Sequence, residues 1–483
     1  MKTKINLKYI GPAIALLAIL ESCKAPMATA IEDHTKEEIP QNYQHQATDT
    51  PQQNSGLIPW KQFFTDPELS RLIDIALKNN QDLMITLQEI EMAKANVLYK
   101  NGLLKPTVTA GAGAGIEKVG RYTNPGAGDA STNIDGDRKV PDWLPDYRGG
   151  ISAEWEVDLW HRLRTEKKSA VAHYLSTVEG KNFVLSQLIS EVAGNYYDLL
   201  ALDNQLDIIQ KYTVLQQKAL EVSKIQKQAM AATELAVKKF EAELAKSKAS
   251  EFDLRQQITE KENLINSLLG RFPQPIERNK ENFMKLLPQT VYTGVPNELL
   301  DNRPDIKAAE LELQAAKLDV EAARKEFYPS LRIGAQLGLD AFNPAYLLKL
   351  PESLAANMVG DLAGPVINKT AIQANFKTAD AKQIQALYEY DKTIVNAYLE
   401  VANLMSKIKN MDGYWQLKAE QSKALDDSNE IANLLFKNSR ADYLEVLLNQ
   451  RDALDAKIEL VEAKKNQLSA VVEIYRSLGG GWK

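Results

Sequence analysis

The sequence predicts a mixed α and β membrane protein in which two copies of one structural unit follow each other along the chain. Three observations predict it: an internal repeat, pairs of segments with strand-like alternation, and long stretches of helical periodicity. The 483-residue chain has no apolar run of about 18 residues, so a bundle of transmembrane helices is excluded. A net charge of −6 provides no basic field for nucleic acid, so a nucleic-acid partner is not expected.

The first segment, residues 1–22, combines an early group of lysines with a short apolar stretch, the pattern of a signal peptide. It leads into Leu20-Glu21-Ser22-Cys23, which we interpret as a lipobox, although Glu21 is atypical there. Cys23 would then carry a diacylglycerol and an N-acyl chain such as palmitate, and these lipids would hold the mature protein on a membrane. The alternative is a chance cysteine beside an ordinary cleavage site. Residues 23–59, polar and rich in Gln, Thr and Pro, are predicted to be an acylated N-terminus and flexible tether.

The remaining chain is an internal duplication, with a first repeat at 60–283 and a second at 284–483. Early matches are 223 residues apart and later matches are 209 apart, so the first copy carries 14 extra residues. The matching pairs include Asp82 and Asp305, Pro106 and Pro329, Glu191 and Glu400, and Gly270 and Gly479. The extra residues fall between about 120 and 150, where Gly, Pro, Asn and Asp predict a loop.

Each copy is predicted to run helix, strand, loop, strand and long helical hairpin. The first helix opens at Thr65-Asp66-Pro67, a cap followed by proline in the first turn, and its counterpart opens at Asn302-Arg303-Pro304. Strands follow Pro106 and Pro329, where apolar residues alternate with small or polar ones. A further strand is predicted from Ile151 to Val157, and the fourth, near 354–366, has the weakest pattern.

The alternation places apolar residues on one face and Glu154, Glu156 and Asp158 on the other, which favours lipid outside and water inside over a water-exposed sheet. Four strands cannot close a barrel, because about eight is the minimum. An open sheet edge cannot lie in lipid. The barrel must therefore be shared between copies of the chain, which makes the protein an obligate oligomer.

The helical stretches have few internal stops and a coiled-coil-like spacing of apolar residues. The first runs from Leu163 to Ala229 without proline, and a second, from about Glu234, returns to Leu269. In the second copy Asp442-Tyr443-Leu444-Glu445 is a capping-box pattern, so a turn is predicted at Asn438 to Ala441. Thr233 begins the matching helix of the first copy.

The sequence resembles the outer membrane efflux protein family of TolC/OprM type, in its lipoprotein branch. The resemblance covers nearly everything after Trp60 and rests on several motifs in the family's order. They are AEWEVDLW (Ala153 to Trp160), SLLG (Ser267 to Gly270), LLDNRPDIKAAE (Leu299 to Glu310), FYPSL (Phe327 to Leu331), AGPV (Ala363 to Val366), YLEVL (Tyr443 to Leu447) and SLGGGW (Ser477 to Trp482).

This resemblance implies a homotrimer whose four strands per protomer form a 12-stranded outer-membrane β-barrel that continues into a periplasmic α-helical barrel of coiled-coil hairpins. It implies docking to a periplasmic adaptor and an inner-membrane transporter of the resistance-nodulation-division type. The hairpin tips would be the docking sites, and their residues are Met230, Ala231, Thr233, Asn438, Ser439 and Arg440. Family members usually have glycine where this chain has Met230 and Ser439, and commonly glycine in place of His161.

The resemblance also implies a periplasmic gate. Asp427 and Glu430 fall on the positions of the family's acidic pair before the second tip, with Asp426 adjacent. Repeated around a threefold axis they would form carboxylate rings that favour cations. A solvated charged face is the alternative.

No catalytic pattern is found, so we do not expect an enzyme. The four histidines lack a cysteine partner and the His-Glu-x-x-His spacing, so neither a metal nor another cofactor is expected. The leading prediction is a passive exit duct for small toxic compounds or drugs. Alternatives are an exit duct for type I protein secretion and, less favoured by the strands, a non-transporting coiled-coil scaffold.

Overall fold

The computed structural model describes residues 25–30, 39–43 and 53–483, except 287, 366, 368 and 439. The helices are α1 (Trp60–Phe63), α2 (Pro67–Asn79), α3 (Gln81–Gly102), α4 (Asn124–Ser131), α5 (Arg162–Gln228), α6 (Glu234–Leu268), α7 (Glu298–Asn302), α8 (Pro304–Lys325), α9 (Thr370–Lys437) and α10 (Tyr443–Ser477). The strands are β1 (Thr107–Glu117), β2 (Asn133–Asp135), β3 (Arg138–Lys139), β4 (Leu144–Val157), β5 (Ser330–Ala341) and β6 (Leu354–Ala363).

The chain divides into two compact units. The sheet unit contains Met92–Tyr174 and Glu312–Ala386 together with the described residues 25–30. The helical unit contains Leu175–Leu311, Leu387–Lys483 and the described residues 39–43 and 53–91.

The sheet unit is built around an antiparallel sheet with strand order β1-β4-β5-β6. The register places apolar residues opposite apolar residues, as in the row Ala110, Ile151, Leu337 and Ala356. Because directly opposed residues share a face, one side of the whole sheet is apolar and the other polar. The alternation predicted for β1, β4 and β5 is therefore confirmed, and the register extends it to β6, whose pattern is the weakest in the sequence.

The polar face carries ordered charges where β4 leads into α5. Arg162 at the start of α5 donates to Glu156 at 2.7 Å and to Glu166 at 2.5 Å, and Lys100 reaches Glu166 at 2.8 Å. The register sets Arg332 opposite both Glu156 and Asp361. Charges of both signs thus alternate along this face.

The connection between β1 and β4, which includes the 14 extra residues, is more structured than the predicted loop. It contains α4, capped by Thr123, whose hydroxyl accepts from Gly126 N at 3.2 Å, and the two-stranded ribbon of β2 and β3. Strand β4 begins at Leu144 instead of Ile151, because its first residues pair with the end of β1. The ribbon is tied to the β5–β6 connection, where Tyr346 donates to Asp135 at 2.7 Å.

The helical unit has its main core between α1, α2 and the long helices. Tyr475 of α10 is fully buried, its ring stacks on Phe63 at 4.0 Å, and its hydroxyl donates to Ile58 O at 2.7 Å. Tyr196 of α5 donates to Asp66, which caps α2 as predicted. The duplication also holds in helix length, because α6 and α10 both have 35 residues and α5 and α9 have 67 and 68.

Each copy has the same kind of joint, before α3 in the first copy and before α8 in the second. Asn80 Nδ2 donates to Leu268 O at 3.0 Å before α3, and Arg303 Nη1 donates to Ser477 O at 2.9 Å before α8. Gly270 and Gly479 have φ of +63° and +84°. A Cβ at Gly270 would collide with the carbonyl at the end of α2, and a Cβ at Gly479 with the carbonyl at the end of α7. The break at Asn80 divides the single first helix expected from sequence into α2 and α3.

The described residues of the predicted flexible tether contact the helices of the chain. Thr29 donates from its amide and hydroxyl to Asp380 at 2.9 and 2.6 Å. Tyr43 is 3% exposed and its ring stacks on Tyr398 at 5.4 Å. The composition of this polar stretch did not predict that Tyr43 would be buried. The signal peptide and Cys23 lie outside the described residues.

Candidate functional site

The acidic pair Asp427 and Glu430 lies on α9, on a face exposed in the single chain. Both side chains line a cavity of about 580 Å³ between α5 and α9. Lys218 of α5 and Lys437 at the end of α9 line the same cavity. These two lysines were not predicted from the sequence, because helical periodicity does not reveal which residue of another helix faces a given side chain.

Asp426 has a different environment from its two acidic neighbours. It is half-buried and pairs with Lys457 of α10 at 2.7 Å. The Lys457 ammonium also lies over the ring of Tyr212 at 5.6 Å. Burial and the nearby Asp426 raise the pKa of the Tyr212 hydroxyl. The charge of Asp426 is thus balanced inside the chain, which leaves Asp427 and Glu430 as the exposed pair.

Side-chain amides hold this part of α9 on α10. Gln450 is 2% exposed and donates to Asn433 at 3.1 Å, and Ser428 donates to Asn449 at 2.6 Å. Asn433 in turn donates to Asn429 O at 2.7 Å. Such bonds fix the rotation of a helix, because an unpaired buried amide would lower the stability of the folded protein. The direction of the acidic pair is therefore set by the helices around it.

The first hairpin tip is the turn between α5 and α6. Met230 is 96% exposed and has φ of +58°. Ala231 N donates to Gln226 O at 2.8 Å, which closes the turn. Thr233 caps α6 as predicted, its hydroxyl accepting from Ala236 N at 3.2 Å. Lys227 and Glu234 form an ion pair across the turn, and the hydrogen bond from Lys227 lowers the pKa of Glu234.

The second tip is the turn between α9 and α10. Asn438 Nδ2 donates to Leu434 O at 2.7 Å, and Arg440 N donates to Leu435 O at 2.9 Å. Asp442 N donates to Glu445 at 3.4 Å, the contact expected of the capping box. Ser439 lies outside the described residues. The predicted turn at Asn438 to Ala441 is confirmed in its described part.

The two tips are joined inside one chain. Gln226 Nε2 donates to Phe436 O at 3.4 Å, and Phe436 packs against Phe240 at a ring distance of 6.1 Å. A hydrophobic cluster with members from all four hairpin helices lies beside them. The structure therefore brings the predicted tip residues of both hairpins into one region.

The described residues also bear on two other kinds of site. None of the helices they form is both long enough and apolar enough to cross a membrane. Within the same residues no group of three or more His, Cys, Asp and Glu side chains could hold a metal ion.

Comparison with known proteins places the chain in a family. The sequence model of the outer membrane efflux protein family matches residues 72–271 and 295–480. The pyoverdine export outer membrane protein OpmQ of Pseudomonas putida is 27% identical over 424 residues, 88% of each chain. The toluene efflux pump outer membrane protein TtgI of Pseudomonas putida is 28% identical over 428 residues, 87% of each chain. The cation efflux system protein CusC of Escherichia coli is 24% identical over 433 residues, 89% of each chain.

Solved structures share the fold. A membrane protein from Pseudomonas aeruginosa has a TM-score of 0.82 at 24% identity, covering 94% of this chain and 99% of its own. The open state of the MtrE outer membrane channel of Neisseria gonorrhoeae has a TM-score of 0.81 at 22% identity, covering 95% and 98%. The mixed α and β duct predicted from sequence is thereby confirmed. The chain belongs to the outer membrane efflux protein family and is an outer-membrane channel through which an efflux system exports its cargo.

Proposed function

We propose that three copies of this chain form a 12-stranded barrel that passively conducts small toxic compounds or drugs out of the cell. The observation that carries the proposal is the sheet, which has one apolar face and two open edges, at β1 and β6. An open edge in lipid leaves backbone groups unpaired at a cost of several kcal/mol each. Joining β1 of one copy to β6 of the next removes every edge once the ring closes.

The cargo class is supported by the relatives. Their names refer to export of pyoverdine, toluene and cations, all small compared with a folded protein. We therefore place small molecules or ions ahead of protein secretion as the cargo of this duct.

The tips are proposed as docking sites for a periplasmic adaptor that connects the duct to an inner-membrane transporter of the resistance-nodulation-division type. The exposed Met230 and the joined tip region support this role. Asp427 and Glu430 are proposed as the periplasmic gate, because both are exposed and border a cavity between neighbouring helices. Asp426 lines the same cavity and would support the gate with its charge paired to Lys457.

The duct itself is tested by mass and conductance. The purified protein should have three times the protomer mass in detergent and should form ion-conducting pores in planar bilayers. Deleting the gene should increase sensitivity to toxic small molecules, and the wild-type gene should restore resistance. A monomer that conducts, or an unchanged sensitivity profile, would contradict the proposal.

Cys23 is proposed as the lipid-bearing residue. Cys23→Ala should abolish labelling by radioactive palmitate and leave an unprocessed precursor, because lipid transfer precedes cleavage at a lipobox. Cys23→Ala behind an unrelated signal peptide should retain partial export, since the barrel also holds the protein in the membrane. Absence of label on the wild type, or a mature chain that starts elsewhere, would refute the assignment.

A further inference from the structure

The sheet is connected to the long helices at one end and carries two loops at the other. Helix α3 leads into β1, β4 into α5, α8 into β5, and β6 into α9. The two remaining connections, residues 118–143 and 342–353, lie together at the opposite end of the antiparallel sheet. In the proposed duct the helices are periplasmic, so these two connections stand at the outer mouth of the barrel.

The first of these connections has a defined base. Arg121 donates to Asp142 at 2.6 Å, which ties the part that follows β1 to the part that precedes β4. Helix α4 packs so closely on the preceding turn that a Cβ at Gly126 would collide with Gly120 O. The ribbon of β2 and β3 follows α4, and its turn contains Gly136 with φ of +56°.

The end of the ribbon lies on the second connection. Besides the hydrogen bond from Tyr346 to Asp135, the Arg138 guanidinium lies 5.8 Å from the centre of the Phe342 ring. The rings of Phe342 and Tyr346 pack edge to face at 5.4 Å. Because β4 lies between β1 and β5 in the sheet, the ribbon crosses the end of β4 to make these contacts.

The alternation of β5 shows towards which face the ribbon leans. Leu337 belongs to the apolar row, so Asp340, three residues later, belongs to the polar face. Phe342 follows Asp340 by two residues and lies on the same side. Since Arg138 lies over Phe342, the ribbon leans towards the polar face, which is the inside of the proposed barrel.

We propose that the three ribbons of the trimer converge over the outer mouth and limit the size of the cargo that leaves the duct. This inference rests on the proposed trimer and adds a specificity-determining element to it. Twelve tilted strands form a barrel about 24 Å across between backbones. A ribbon of three residues per strand is about 10 Å long, so it spans most of the radius when it points inwards.

Cysteines at the ribbon turn and at the rim test the convergence. Asp137 is exposed beside Gly136, and Glu352 is exposed in the second connection. Equivalent rim positions of three copies are about 20 Å apart, whereas converging turns are within about 10 Å of each other. In the full-length protein in native membranes, a short bifunctional thiol reagent should therefore give dimers with Asp137→Cys and monomers with Glu352→Cys.

The unchanged protein is the control for the native cysteine, because Cys23 is the only one in the chain and is proposed to carry lipid. It should remain monomeric on the denaturing gel after the same treatment. Dimers from Asp137→Cys and Glu352→Cys in equal yield, or from neither, would show that the ribbons do not converge.

Polymer exclusion measures the size limit itself. Neutral polyethylene glycols that enter a pore from one side lower its conductance, and the largest one that enters reports the width of that mouth. Replacing residues 133–139 by two glycines should let larger polymers enter from the ribbon side of a channel in a planar bilayer. The limit measured from the other side should not change.

A conservative variant tests the contact that holds the ribbon. Tyr346→Phe removes the hydroxyl that bonds to Asp135 and should also raise the size limit on the ribbon side. Tyr122→Phe, at a fully exposed residue of the same connection, should leave the limit unchanged.

The outcomes for the ribbon and for the duct are separable. If the protein has trimeric mass and conducts, but the ribbon deletion and Tyr346→Phe leave the size limit unchanged, this inference is overturned and the proposed duct stands. If the mass is monomeric, the proposed function itself fails.

Discussion

Among the described residues, His161 and Met230 have positive φ without being glycine, at +60° and +58°. Both stand where the family pattern has glycine. For an L-residue this conformation costs about 1–2 kcal/mol. At Met230 no burial offsets the cost, because the side chain is 96% exposed.

Met230→Gly should therefore stabilise the folded chain by up to about 1 kcal/mol, since relief of the strain exceeds the extra entropy of glycine in the unfolded state. Thermal unfolding in detergent measures the change. Ala231→Gly, at the neighbouring position without positive φ, should have no effect or lower the melting temperature. A lower melting temperature for Met230→Gly would show that the turn is not strained there.

His173 should affect how the stability of the protein depends on pH. Its interactions with Asp319 and Glu312 outweigh partial burial and raise its pKa to about 10. A folded pKa above the unfolded value of about 6.5 means that protonation stabilises the folded state. This contribution is fully present below pH 6.5 and is lost as the pH rises through 10.

The wild type should accordingly lose stability between pH 6.5 and 10 by an amount that His173→Gln does not show. Unfolding midpoints measured at intervals across this range provide the comparison. Parallel pH profiles for the two proteins would mean that His173 does not retain its proton between the two carboxylates.

At the scale of elements, the start of α8 is held by a buried charge. Arg303, with 7% of its side chain exposed, bonds to Asp305 at 2.7 Å and to Glu400 at 2.8 Å. Arg476 also reaches Glu400. These carboxylates raise the pKa of Arg303 against the opposing effect of burial, so its charge is fully retained. In the first copy the matching residue is the neutral Asn80, which caps α3 by accepting from Leu83 N at 2.9 Å.

Arg303→Ala should destabilise the protein by about 2–3 kcal/mol, because it leaves the half-buried Asp305 without its partner and Glu400 with Arg476 alone. Asn80→Ala, the matched control at the first joint, should cost only about 1 kcal/mol as a lost cap. Denaturant unfolding of both variants measures the difference. Equal losses would show that the Arg303 charge adds nothing beyond a cap.

The elements themselves were largely predictable from the sequence. The strands, the long helices and the caps at Asp66 and Thr233 follow from local patterns and are confirmed. The break at Asn80 was not predicted, because α2 and α3 meet at a joint whose partner carbonyl, Leu268 O, lies far along the chain. The early start of β4 was also missed, because Pro145 and Asp146 continue the loop-like composition before them and only their pairing with β1 makes them strand.

At the scale of the whole molecule, the acidic pair can be tested by its charge. Replacing Asp427 and Glu430 by alanine should lower cation selectivity and block by multivalent cations, and replacing both by lysine should shift selectivity towards anions. Trimer mass should not change. Single-channel recordings in planar bilayers measure both properties.

Asp253→Asn, a single exposed charge change on α6, is the control and should conduct like the wild type. Unchanged selectivity and block in both double variants would assign Asp427 and Glu430 to an ordinary solvated face. The spacing of Asp427 and Glu430 predicted that they share one helix face. The ion pair of Asp426 could not be predicted, because its partner Lys457 lies on α10.

The closely matched lengths of the hairpin helices in the two copies have a consequence for how such a gene can change. One added residue in α6 would turn every following side chain by about 100° and shift it by about 1.5 Å, while α10 stayed as it was. Insertions and deletions are therefore tolerated only in segments that lie outside the paired helices of the two copies. The 14-residue difference between the copies lies in such a place, between β1 and β4. Descendants of this duplication should differ freely in the length of that loop and conserve the hairpin lengths in pairs.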